Sequence, residues 1–206
     1  MEGSSEKVKT MWNERYARTE FAYGKEPNDF LKQQIAEKSS GKVLCLAEGQ
    51  GRNAVYLAGL GYEVTATDLS SVGLERTKEL AKERNVAVAT LQVDLGEYQI
   101  GSEAWDGIVC IFGHFPPSVR THVLSQLHGG LKPGGFLLME VYSTDQFGYG
   151  TGGPKEISML YTLNELETML GSSWDFEVLH QTEREINEGE YHNGKSSVIQ
   201  VFGRKK

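Results

Sequence analysis

Short apolar runs alternate with longer amphipathic ones along most of the chain. Val43–Ala47, "VLCLA", is a short apolar strand, and Arg52–Gly59 is a helix with Ala54, Val55, Leu57 and Ala58 on its apolar surface. Glu63–Thr67 is a second strand that ends at Asp68, and Ser70 or Ser71 opens a helix to about Arg84. Further strands are predicted over Val86–Val93, Trp105–Phe112 and Gly135–Tyr142. Helices are predicted over Ser118–Leu127, with Val119, Val123, Leu124 and Leu127 on one stripe, and over Leu163–Leu170. Thr162 with Glu165 makes a capping box for the latter. Strands alternating with helices on this period predict an α/β, doubly wound, mostly parallel sheet with helices on both faces. The tail departs from the pattern. Asp175–Glu185 and Ser196–Phe202 are both strand-like and joined by "INEGEYHNGK" without a helix, so they are expected as an antiparallel pair at one end of the sheet.

The first forty residues differ from the rest. Trp12, Tyr16, Phe21, Tyr23 and Phe30 crowd into a short segment, and Phe30, Leu31, Gln34, Ile35 and Lys38 follow helical spacing behind a cap at Asn28 or Asp29. Residues 1–40 are expected as a helical lid on a single domain of 206 residues.

Composition narrows the function classes. Hydrophobic residues make up 39% and charged residues 24%, a normal globular mix. The net charge of -7 weighs against non-specific nucleic-acid binding. Cys45 and Cys110 lie inside apolar strands as buried thiols, and with no CxxC pair and scattered histidines no metal site is expected. "MEGSSEKVKT" has no apolar core of signal-peptide length and no run is long enough to span a membrane, so a cytoplasmic protein without a membrane partner is the expectation. Monomer and homodimer are both open.

The stretch "LAEGQGRNA" carries the first chemistry. In a doubly wound sheet ligands sit beyond the C-terminal strand ends, where Gly49 and Gly51 allow a tight turn and close approach. The next helix presents free N–H groups near Arg52 and Asn53. Asp68, about twenty residues on, stands where a carboxylate accepts ribose hydroxyls. Glu48 decides between cofactors. Beside a dinucleotide's pyrophosphate it repels; beside the sulfonium and ammonium of S-adenosylmethionine it attracts. Asp94, ending "LQVD", adds an acceptor for an adenine amino group with Leu95 packed on the ring, or else ties down its own loop.

With "WNERYARTEFAYGKEPNDFL", "VLCLAEGQGRNAVYLAGLGYEVTATDLS", "LQVDL", "WDGIV", "LKPGGFLLME" and "GTGGPKE", the chain resembles class I S-adenosylmethionine-dependent methyltransferases, more narrowly the tellurite-resistance and thiopurine-type branch. The resemblance implies a three-layer sandwich around a seven-stranded sheet of order 3-2-1-4-5-7-6 with strand seven antiparallel. It implies a cofactor loop at Glu48, Gly49 and Gly51, a ribose contact at Asp68 beside Leu69, and adenine contacts at Asp94 and Leu95. It places Ile111 to His114 near the reactive methyl, Trp12, Tyr16 and Tyr23 in the segment that covers the cofactor, and "LKPGG" in the turn before strand five.

Direct displacement at a sulfonium needs alignment and exclusion of water rather than a metal. A thiol, sulfide, or an oxyanion of selenium or tellurium suits a site with modest acid–base equipment. The acceptor-side candidates each have a plain alternative. His114, after strand four, orients the nucleophile or takes its proton, or anchors the Pro116–Pro117 turn. Arg120 attracts an anion or is solvated. Tyr149, in the glycine-rich loop Asp145–Glu156, lines the cavity or packs under the loop. Arg184 and His192 flank the turn between the last strands, which the resemblance places near the open rim of the site. Rival readings are an NAD- or FAD-linked oxidoreductase, a non-catalytic scaffold of the same fold, and methylation of a small amine, carboxylate or hydroxyl.

Overall fold

The computed structural model describes residues 2–18 and 20–206. Its strands are β1 (Lys42–Cys45), β2 (Glu63–Asp68), β3 (Val88–Gln92), β4 (Trp105–Ile111), β5 (Leu131–Tyr142), β6 (Trp174–Glu188) and β7 (His192–Lys205). Its helices are α1 (Glu2–Tyr16), α2 (Asp29–Gln34), α3 (Arg52–Gly59), α4 (Ser71–Glu83), α5 (Pro117–Gly130) and α6 (Leu163–Leu170). The strands form one sheet in the order β3-β2-β1-β4-β5-β7-β6. β1 to β5 pair in parallel, and β7 runs antiparallel to both β5 and β6.

The period-two alternation of the strands sorts the core into two layers. Leu44, Ile108, Cys110, Leu137, Met139 and Val141 face one side, against Val123, Leu124 and Leu127 of α5 and Leu166 of α6. Val43, Cys45, Val109, Ile111 and Leu138 face the other, against Phe30 and Leu31 of α2, Leu57 of α3 and Leu74 of α4. Burying one such leucine is worth about 1.5–3 kcal/mol. Both cysteines are buried and free. Burial pushes the Cys110 thiol up to about 12 and Cys45 well upward too, so neither is a thiolate near neutrality.

Local signals account for most boundaries. Asn28 caps α2 through a bond from the Leu31 N–H, and Ser70 caps α4 through one from the Gly73 N–H. Lys38 lies beyond α2, which ends at Gln34. Thr162 caps α6, but the reciprocal half of the expected capping box is absent: Glu165 turns to Arg120 Nε instead, at 3.0 Å. "LKPGG" turns inside the bounds of β5, because Leu131 already pairs with β4. Trp105 pairs with Leu131 and Gly107 with Phe136, leaving the residues between to bow out. The last two strands are longer than the expected Asp175–Glu185 and Ser196–Phe202, and Glu188 pairs with His192 across a tight turn.

A buried ionic network fixes the segment before β1 to the sheet. Glu140, fully buried on β5, accepts from Asn28 Nδ2 at 2.7 Å, from Gln200 Nε2, and from Arg184 through two nitrogens. Arg184 also reaches Glu188, which pairs with Arg52 of α3. Removing one partner of such a set leaves a buried charge uncompensated. Arg184→Met is therefore expected to lower unfolding free energy by about 3–5 kcal/mol in denaturant titrations, and Glu140→Gln in the same chain to recover most of it. A loss under about 1 kcal/mol would show that the network is not what holds this segment.

Candidate active site

Gly49 and Gly51 both have φ in the left-handed region, +62° and +86°, between the end of β1 and the start of α3. A Cβ on Gly51 would stand 2.5 Å from Thr77 of α4, and Thr77 Oγ1 donates to the Gly49 carbonyl at 3.0 Å. The loop is thus shaped by glycine freedom and pinned from the neighbouring helix. α3 has no side-chain cap from its own N-cap residue, Gly51. Glu48 fills that role: its Oε1 accepts from the Asn53 and Ala54 N–H groups at 2.9 and 2.8 Å. A carboxylate already sits where a helix N-terminus would otherwise hold a phosphate.

Asp68 lies at the end of β2, buried, accepting from the Gly49 and Ser70 N–H groups. Asp94 accepts from the Gly96 N–H and from the Ser5 hydroxyl of α1. Burial raises both inner acids against their hydrogen bonds: Glu48 to about 7 and Asp68 to about 6. Leu69 is half-buried beside Asp68, while Leu95 and Ile111 are buried in the two core layers.

α1 lies across this cleft. Ser5 reaches Asp94, Asn13 Oδ1 accepts from the Ser70 hydroxyl, and Tyr16 is wedged between Gly49 and Gly73, each of whose added Cβ would meet its ring or hydroxyl within 3 Å. Trp12 stacks on Tyr16 at 5.4 Å. Tyr16 is buried, and burial with the Asp68 charge holds its phenol protonated. The chain continues over the acceptor end. Ala22 N–H donates to Gln50 Oε1, Tyr23 packs on Tyr16 and on His192, and Arg15 donates to the Tyr23 hydroxyl. Gln50 Nε2 is buried without a partner, a donor turned to no protein group.

Several expected site residues do other work. Asn53 gives its N–H to Glu48 and its side chain to the Asn28 N–H, so it is a loop anchor rather than a cofactor donor. His114 has both nitrogens engaged: the Tyr142 N–H donates to Nε2, so Nδ1 is the protonated nitrogen and donates to the Met159 carbonyl at 3.0 Å. Burial depresses it to about 4, and with both nitrogens already bonded it ties its loop. Arg120 is buried, donating to the Leu160 carbonyl, paired with Glu165 and lying over the Tyr161 ring. Arg184 belongs to the Glu140 network. Tyr149 is exposed, and its hydroxyl donates to Glu183. Its loop does reach the site through glycine: a Cβ on Gly152 would stand 2.4 Å from the Tyr142 hydroxyl. His192 sits in the enclosed end with Phe112, Tyr142 and Tyr23 around it, and His114 stacks on the same Tyr142 ring at 5.4 Å. Sequence reasoning missed Ser5, Asn13, Arg15, Gln50 and Tyr142. Their common signal is weak, since each is an ordinary polar residue until the fold brings its partner near.

The residues fit a cationic cofactor. Three carboxylates end β1, β2 and β3 or their loops, the α3 N-terminus is closed to phosphate, and an unpaired amide donor at Gln50 suits a carboxylate group. Residues 43–135 match the family described as a methyltransferase domain. A probable S-adenosyl-L-methionine-dependent methyltransferase, TehB of Haemophilus influenzae, is 29% identical over 80% of this chain and 57% of its own length. The chain thus spans little more than half of that relative. A glycine/sarcosine N-methyltransferase of Halorhodospira halochloris is 27% identical over 59% of this chain and 47% of its own. The crystal structure of H. influenzae TehB superposes with a TM-score of 0.72 at 22% identity, covering 96% of this chain and 67% of that one. Residues 43–135 are a methyltransferase domain, and the chain has the fold of the class I S-adenosylmethionine-dependent methyltransferases of the TehB type.

A cation bound against Glu48 and ribose hydroxyls donating to Asp68 would each favour the ionised acid, so binding releases protons and strengthens as pH rises through their raised pKa values of about 7 and about 6. Calorimetric titration with S-adenosylmethionine is expected to give about tenfold weaker affinity at pH 5.5 than at pH 8. An affinity flat over that range would mean that these acids do not contact the cofactor.

Proposed function

We propose that this protein transfers a methyl group from S-adenosylmethionine to a small nucleophilic acceptor, with a thiol, sulfide or other chalcogen species such as selenite or tellurite as the favoured class. The observation that carries the reading is Glu48 capping α3 while Asp68 and Asp94 stand at the ends of β2 and β3: an anionic cleft with no vacancy for a pyrophosphate. The same feature weighs against an NAD- or FAD-linked oxidoreductase. A scaffold without activity would have no use for three buried or half-buried acids at strand ends.

When bound, S-adenosylmethionine supplies a methyl group on a sulfonium and leaves as S-adenosylhomocysteine. The protein's part is to bind, orient and exclude water. Asp68 and Leu69 would hold the ribose, Asp94 and Leu95 the adenine, and the Gly49–Gly51 loop with Gln50 the methionine portion. Trp12, Tyr16 and Tyr23 would form the cover, with residues 1–40 acting as a lid on a single domain. α1 satisfies Asp94 and Ser70 with its own side chains, so it must shift for the cofactor to enter. The closed cover and the tight β6–β7 turn favour a small acceptor over a nucleic acid or a protein. An amine acceptor is the second reading, supported by the glycine/sarcosine relative. Among the described residues no helix is long and apolar enough to cross a membrane and no acid–histidine–cysteine group is arranged for a metal. We place the enzyme in the cytoplasm as a monomer or homodimer.

Two measurements test the reading. Asp68→Ala is expected to weaken S-adenosylhomocysteine binding by about 1.5–3 kcal/mol, or roughly 10- to 100-fold, by calorimetry. Mass-spectrometric assay of S-adenosylhomocysteine release across thiols, sulfide, selenite, tellurite, amines and carboxylates is expected to show acceptor-dependent turnover. No cofactor binding by the intact protein would sink the proposal.

A further inference from the structure

His192 begins β7 immediately after the turn and is buried, 8% exposed as a residue. Tyr23 lies 4.4 Å from it, Phe112 4.5 Å at an interplanar angle of 72°, and Tyr142 5.4 Å at 89°. His192 Nδ1 is buried with no hydrogen-bond partner. The Tyr142 hydroxyl is buried as well; Ser196 lies on its side, but in a geometry that forms no hydrogen bond. Two adjacent rings thus each keep an unsatisfied polar atom, which costs free energy unless something else meets it. Phe112 is a non-glycine residue at φ +53°, directly after β4, and this strained backbone is what turns its ring into the group.

The charges around the group are also informative. Arg52 from α3, Arg184 from β6, Arg15 from α1 and His114 from the loop after β4 all bear on His192, and together with burial they hold its imidazole neutral. Arg52 and Arg184 are paired with Glu188 and Glu140. Arg15 has no carboxylate partner among the described residues; it lies over Trp12 and Tyr191 and bonds the Tyr23 hydroxyl. Glu188 and Glu140 bear on Tyr142 from the other side and, after burial, keep its phenol protonated. The same potential acidifies a thiol placed there, so Nδ1 has only to pass the proton from sulfur to water and not to keep it.

We infer that the acceptor is a small thiol received in the box of Phe112, Tyr142 and His192 beneath Tyr23, and that His192 Nδ1 takes the proton of its S–H, an inference that rests on the methyl-transfer reading above. The S–H bond breaks with its proton passing to Nδ1, and the sulfur pair forms a bond to the methyl carbon. The sulfonium–methyl bond breaks, its pair staying on the sulfur of S-adenosylhomocysteine, and His192 then returns its proton to water. One thiol and one sulfonium cofactor give one thioether, one S-adenosylhomocysteine and one proton. Tyr142 donates to the sulfur. Selenite and tellurite fit this box poorly. Each has three hydrated oxygens, and the walls offer ring faces and two polar atoms in exchange. A sulfur atom packs well against ring edges and needs one donor.

The test measures initial rates on thiols of aqueous pKa from about 5 to about 10, and on selenite and tellurite, for the native protein, His192→Asn and Tyr142→Phe. The native protein is expected to methylate the thiols and neither oxyanion. His192→Asn is expected to be about a hundredfold slower on alkyl thiols, with the deficit shrinking below tenfold on the most acidic thiols, while S-adenosylhomocysteine affinity stays within about twofold. Tyr142→Phe is expected to raise KM several-fold more than it lowers kcat. A loss on His192→Asn that is the same for every thiol, turnover of the oxyanions in place of thiols, or tight cofactor binding with silence across all thiols would each overturn the inference. If His192→Asn fails to fold, the Tyr142→Phe split and the native ranking of thiols over oxyanions decide it. Failure to bind the cofactor at all is a different result, and strikes the methyl-transfer reading instead.

Discussion

The carboxylate of Glu48 at the N-terminus of α3 sets the terms for the rest of the site. A helix start offers free N–H groups and a partial positive charge, and any anion nearby is drawn to it. Here the chain supplies that anion itself, from the residue before Gly49, by letting Gly49 and Gly51 turn in left-handed geometry. The helix is satisfied and the phosphate site is closed by the same two bonds. What remains at the strand ends is acidic; burial raises Glu48 and Asp68 above the usual carboxylate range, and a cation brought beside them would favour their ionised forms.

α3 carries that arrangement to the other end of the site. With its first turn fixed by Glu48, Arg52 points to Glu188 on β6, and Glu188 shares Arg184 with Glu140 on β5. Asn28 joins this set by donating to both glutamates, and its side-chain oxygen caps α2. The charges within the network cancel in pairs: two guanidinium groups meet two carboxylates out of water. Such a set is weak as a source of net stability but strongly penalises any one missing member. It therefore specifies where the N-terminal segment crosses the sheet, and with it where Tyr16 and Tyr23 come down.

The parts of this design that depend on neighbouring residues were legible in the chain. Period-two strands, the Ser70 and Thr162 caps, the glycine turn and Asp68 about twenty residues later all follow from local rules. The sheet order followed from resemblance. The acceptor end was much less legible, because there each side chain's role is set by a partner far along the chain. His114 is silenced by the Met159 carbonyl, Arg120 by the Leu160 carbonyl and Arg184 by Glu140. Nothing in "IFGHF" or "TEREI" announces those partners. The glycine-rich loop meets the buried aromatic end through a glycine and not through its tyrosine. Tyr149 had the chemistry, yet Gly152 has the position, since only a residue without a side chain lets the loop lie against Tyr142.

The two halves of the site are electrostatically opposite, and that contrast follows from methyl transfer itself. A sulfonium is stabilised by carboxylates, but a carboxylate beside the acceptor would hold a nucleophile's proton in place and compete for the methyl group. The structure keeps Glu48, Asp68 and Asp94 at the ends of β1, β2 and β3, and ties up Glu140 and Glu188 with arginines before they reach the aromatic end. What lines the end proposed for the acceptor is then neutral rings, a neutral imidazole and the positive fringe of Arg15. A cofactor that brings its own positive charge needs an acidic pocket at one end and an almost uncharged one at the other, and the crossing point between them is the strand-end region from Ile111 to Phe112.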